Sequence, residues 1–128
     1  MKKETQQLLF VYNANSGAHN AILDSMHKVF SPSTYDCNLC HLTYGLLTEN
    51  RVWKKFREQS KIPMQFLHKD EFVGDYASKF GHNSAFPIVF LERGYELEVF
   101  ISPEELNIMQ SAQQLIDVIQ ERIKKISQ

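Results

Sequence analysis

The chain has 128 residues, 43% hydrophobic and 23% charged, an ordinary balance for a single domain (1–128) with one core. Fourteen Lys and Arg against fifteen Asp and Glu leave a formal charge of −1, so neither a phosphate-tracking surface nor a nucleic-acid partner is expected. No run approaches the roughly 20 apolar residues of a membrane span. The apolar run at 8–12, behind a polar opening, is too short for the core of an export signal, so the expected location is cytoplasmic.

Leu8, Leu9, Phe10, Val11 and Tyr12 form a continuous apolar run, which suits a strand covered on both faces. Asn13-Ala14-Asn15-Ser16-Gly17 is a turn cluster, with Asn15 or Ser16 placed to cap a following helix. Ile22, Leu23, Met26, Val29 and Phe30 give helical spacing over 18–30, and Ser31-Pro32-Ser33 ends it. Residues 35–45 hold both cysteines and show no clean period. Thr48-Glu49-Asn50 then opens a helix with Val52, Trp53 and Phe56 on one side. Residues 63–68 alternate weakly, as a strand. Residues 70–80 fit a short helix with Phe72, Val73, Tyr76 and Phe80 inward.

The last third is the clearest. Strands at 86–91 and 96–101 are joined through Glu92-Arg93-Gly94-Tyr95, a hairpin signal containing glycine. Ser102-Pro103-Glu104-Glu105 is a capping box with proline at the first helical position. The final helix follows Ser111 and carries the stripe Leu115, Ile116, Ile119, Ile123 and Ile126. Trp53, Phe56, Phe66, Phe90 and Phe100 read as core, and Glu96 and Glu98 as a solvent face.

Chemistry concentrates at Cys37 and Cys40, the only cysteines, spaced C-x-x-C and followed by His41. Two thiols this close exchange a disulfide, grip a soft metal or, as C-x-x-C-H, tether a haem. Haem attachment needs export and is set aside. In a reducing cytosol a purely structural disulfide is disfavoured. Thiol–disulfide exchange would use Cys37 to attack and Cys40 to resolve, on an unknown protein or small thiol. Zinc would take Cys37, Cys40 and His27, with Asp24 or His41 completing four donors; Asp24 and His27 lie three apart, on one helical face. A third reading packs both cysteines as small apolar residues in a non-catalytic binding module. Its ligand would lie against Asn13, Asn15, Ser16 and Gly17, where backbone N–H groups open a helix, with Phe86 and Pro87 as further candidates.

The order strand, helix, extra helix, strand, helix, hairpin, helix resembles the thioredoxin-like fold. That resemblance implies an α/β domain: a mixed four-stranded sheet flanked by helices, here with a helical insertion after the first helix. It also puts Phe86-Pro87 where that fold places a cis proline. In that family the C-x-x-C follows the first strand directly. Here Asn13 to Gly17 occupy that place, and the cysteines come after the first helix. The stretches Tyr12-Asn13-Ala14-Asn15-Ser16-Gly17, Ser31-Pro32-Ser33-Thr34-Tyr35-Asp36-Cys37-Asn38-Leu39-Cys40 and Thr43-Tyr44-Gly45 resemble a small bacterial family of this architecture that brings no activity with it. Its members sometimes carry the label GTPase, yet this chain has no G-x-x-x-x-G-K-[ST] and no glycine-rich strand-to-helix turn to cradle phosphates.

Overall fold

The apolar run near the start of the chain becomes the middle of the sheet. In the computed structural model, which describes residues 6–13, 37–44, 48–80, 85–94 and 96–126, it forms strand β1 (Gln6–Tyr12). β1 pairs in parallel with β2 (Met64–His68) and antiparallel with β3 (Ile88–Arg93). β3 in turn pairs antiparallel with β4 (Glu96–Ile101), so the order is β2-β1-β3-β4. The chain is thus α/β, with an open, mixed, four-stranded sheet and helices, as the sequence led one to expect.

A strand with neighbours on both sides and layers on both faces must be apolar throughout, and residues 8–12 are all buried. The two-residue period sorts them. Leu8, Phe10 and Tyr12 point to one face, where they meet α1 (Asn38–Thr43), α2 (Arg51–Gln59), α4 (Pro103–Ile108) and α5 (Ala112–Ile126) through Leu39, Trp53, Leu106, Leu115 and Ile119. Leu9 and Val11 point to the other, with Leu67, Ile88, Phe90 and Phe72 of α3 (Lys69–Phe80). Phe72 stacks on Tyr76 and on Phe90, each with ring centres 5.2 Å apart.

Two expected core positions are corrected. Val52 is 50% exposed and Val73 45% exposed. A helix lying on a sheet buries a narrow stripe, and Trp53 with Phe56 fills that of α2, as Phe72 with Tyr76 does in α3. The expected helix at 18–30 and the side chain of Phe80 lie outside the described residues.

Three local signals act where the sequence places them. Asn50 caps α2, its Oδ1 accepting from the Trp53 amide at 2.9 Å. Gly94 turns the β3–β4 hairpin at φ +55°, in the left-handed region that glycine enters without a Cβ clash. The capping box of α4 is complete: Ser102 Oγ accepts from the Glu105 amide at 3.1 Å, and the Glu105 carboxylate accepts from the Ser102 amide at 2.9 Å. Arg122 of α5 clasps that same carboxylate and donates to the Phe100 carbonyl at 2.7 Å, tying the last helix to the end of β4.

One feature of β4 was not legible. Val89 pairs with Ile101 but Phe90 pairs with Val99, which leaves Phe100 as an extra residue, a β-bulge. The bulge breaks the alternation, so the adjacent Phe100 and Ile101 both join the core beneath α4 and α5. Among the described residues, no helix is long and apolar enough to cross a membrane.

Candidate functional site: a paired-cysteine helix at the end of β1

The stretch without a period folds as α1, a helix of six residues. Leu39, Cys40, Leu42 and Thr43 are all buried, so it has no polar stripe of the width that periodicity would detect. Thr43 resolves its buried hydroxyl by donating to the Leu39 carbonyl at 2.8 Å, with the Tyr12 hydroxyl 3.4 Å away.

Cys37 is the N-cap of α1 and is joined to Cys40 as a disulfide, with their Cα atoms 5.3 Å apart. Its Sγ accepts from the Cys40 amide at 3.2 Å and from the Asn13 amide at 3.3 Å. Asn13 is the first residue after β1. Cys37 is therefore 24 positions beyond Asn13 in sequence but touches it in space. The cysteines occupy the carboxyl end of a strand in a mixed α/β sheet, the rim on which such sheets place ligands.

Both cysteines are 1% exposed. Exposure does not rank one above the other as attacker; the two amides on Cys37 do distinguish it. Asn38, between them, spends its amide nitrogen on the α4 turn, donating to the Leu106 carbonyl at 2.6 Å and the Met109 carbonyl at 2.9 Å. Lys69, opening α3, donates to the Asn13 side-chain oxygen at 3.3 Å, which brings a cation to the residue whose amide holds Cys37.

The proposed metal donors are not gathered among the described residues. His41 is exposed on α1 while both cysteines are buried, and no group of three His, Cys, Asp or Glu there has the arrangement of a metal site. Asp24 and His27, like Asn15, Ser16 and Gly17, lie outside the described residues. Phe86 packs edge-on against Phe72 at 5.8 Å, on the sheet face opposite the cysteines, and joins Pro87 through a cis peptide bond.

Where β1 and β2 end, at Tyr12 and His68, lies a cleft of about 340 Å3 that the sequence did not reveal. Tyr12, Tyr44, Phe66 and His68 supply its rings, and Glu49 and Arg57 its charges. Tyr44 ends α1, its amide donating to the Cys40 carbonyl at 2.8 Å. Arg57 meets Glu49 through two hydrogen bonds of 2.8 and 2.9 Å, and that contact, with Glu49's charge, holds the guanidinium above its usual range. Burial, reinforced by Glu49 and opposed by Arg57, raises the Tyr44 hydroxyl above the usual phenol value. These residues come from four separate segments, so no spacing rule unites them; the Thr43-Tyr44-Gly45 stretch was the one hint. No family model, no curated protein and no solved structure matches this chain.

Proposed function

We propose that the chain is a thiol–disulfide exchange protein of thioredoxin-like architecture, working through Cys37 and Cys40. The observation that carries the reading is the paired sulfurs at the carboxyl end of β1, with two backbone amides on Cys37 Sγ. The strand order β2-β1-β3-β4 and the final helix behind the hairpin support the architecture.

In the reduced protein, those two N–H groups favour negative charge on Cys37 over Cys40. The Cys37 thiolate attacks one sulfur of a partner disulfide. A Cys37–partner bond forms, the partner's sulfur–sulfur bond breaks, and the leaving sulfur departs as a thiolate and takes a proton. Cys40 then gives up its proton and attacks Cys37 Sγ. The mixed disulfide breaks, the second partner sulfur leaves as a thiolate, and it is protonated in turn. The partner gains two electrons and two protons, and Cys37–Cys40 ends as the disulfide. With both cysteines 1% exposed, the attack needs the covering residues to part, which favours small disulfides or extended peptides over folded surfaces.

The test is a titration across glutathione and dithiothreitol redox buffers, with acid quench, alkylation and mass reading. The expected result is one two-electron transition at a cellular potential, abolished in Cys37→Ser and Cys40→Ser. No transition in that range overturns the reading. So does protein purified without chelator that carries one equivalent of zinc and resists oxidation, which would assign the thiols to a metal.

A further inference from the structure

Asn38 stands between the two cysteines, and its side chain points away from them. Its Nδ2 carries two hydrogens, and both are used: one on the Leu106 carbonyl, one on the Met109 carbonyl. These oxygens lie at the end of α4, where the Leu106 carbonyl also accepts from the Met109 amide at 3.3 Å. α4 is itself fixed at its other end by the Ser102–Glu105 capping box and by Arg122 reaching across from α5. The first turn of α1 is thus bolted to a braced element at the residue adjoining Cys37.

We infer that Asn38 is a positioning residue of the dithiol, one that favours the disulfide over the two thiols. The inference rests on the exchange reading above. Ring closure costs the freedom of the backbone between the sulfurs. A backbone already held by Asn38 in the reduced protein has less of that freedom to lose, so the thiols meet at a higher effective concentration. The two hydrogen bonds do not touch sulfur, so they persist in both states. Their effect is on the thiol–disulfide equilibrium, through geometry. Neither partner is charged, so the effect is insensitive to salt.

The experiment compares wild type with Asn38→Leu, a side chain of similar size without donors, in the redox-buffer titration. Urea unfolding of the oxidised and reduced forms of each protein runs alongside. The expected result is a roughly tenfold smaller equilibrium constant for disulfide formation, a potential about 30 mV less negative. In the unfolding data the oxidised form loses more stability than the reduced one. If Asn38→Leu does not fold, Asn38→Ser, which shortens the side chain and drops the amide, is titrated in the same way. An unchanged constant beside an equal loss of stability in both forms overturns the inference, because Asn38 is then a structural clasp alone. That outcome leaves the wild-type transition in place. A wild type with no transition ends the exchange reading and this inference with it.

Discussion

Replacing Glu105 by Gln keeps an acceptor for the Ser102 amide and removes only the charge, since Gln also completes a capping box. The cost follows from the contacts. The Arg122 guanidinium, then the Ser102 amide, hold the Glu105 carboxyl down at about 2, against 4.5 for the free side chain. At 1.36 kcal/mol per pH unit the ceiling is about 3 kcal/mol. The Arg122 side chain is 34% exposed and that of Glu105 41%, so solvent screens the pair, and about 1–2 kcal/mol is the expected loss at pH 7. The pH dependence gives the sign. A carboxyl depressed by folding stabilises the native state above its unfolded pKa and loses that contribution as pH falls through the folded one. The gap between wild type and Glu105→Gln is therefore full from pH 7 to about 5 and drains between about 4.5 and about 2. Urea unfolding of both proteins at pH 7, 5, 4 and 3 measures it. A gap that stays constant down to pH 3 would refute the reasoning, for the loss would then come from packing.

Two further predictions concern the scaffold. Trp53 is fully buried, and among the described residues its indole nitrogen has no hydrogen-bond partner. Trp53→Phe trades lost ring contacts for release of a buried donor worth about 1–3 kcal/mol, so urea unfolding should place it within about 1 kcal/mol of wild type; a loss above about 3 kcal/mol would contradict the orphaned donor. Gly94→Ala meets no atom within 4 Å, so only its φ of +55° opposes it, and thermal unfolding should show a loss of about 1 kcal/mol, most of it recovered in Gly94→Asn.

Elements with a simple local pattern were legible in the sequence. β1 and β4 announce themselves by unbroken and alternating patterns, α5 by its stripe, and α4 by Ser102 and Glu105. The same logic explains what was not read. α1 is short and mostly buried, so it has no stripe to detect. In Val52 and Val73 the residue type suited a core, but the helix had no contact area left for it. At the site, the paired cysteines were visible as a spacing, and their closeness to β1 was not, because Asn13 meets Cys37 across 24 positions. The cleft formed by Tyr12, Tyr44, Glu49, Arg57, Phe66 and His68 depends on the parallel pairing of β1 with β2, a long-range event that local pattern does not encode.

The irregular pairing near Phe100 matters for how this molecule meets its own copies. β4 is the outermost strand on its side, and an outermost strand offers unpaired backbone to any passing chain. Here Glu96 and Glu98 stand exposed along it, and the extra residue interrupts its regular pairing. A second copy would have to bring like charges together and match a kinked partner to lengthen the sheet. The geometry that seats Phe100 thereby guards against stacking into fibres.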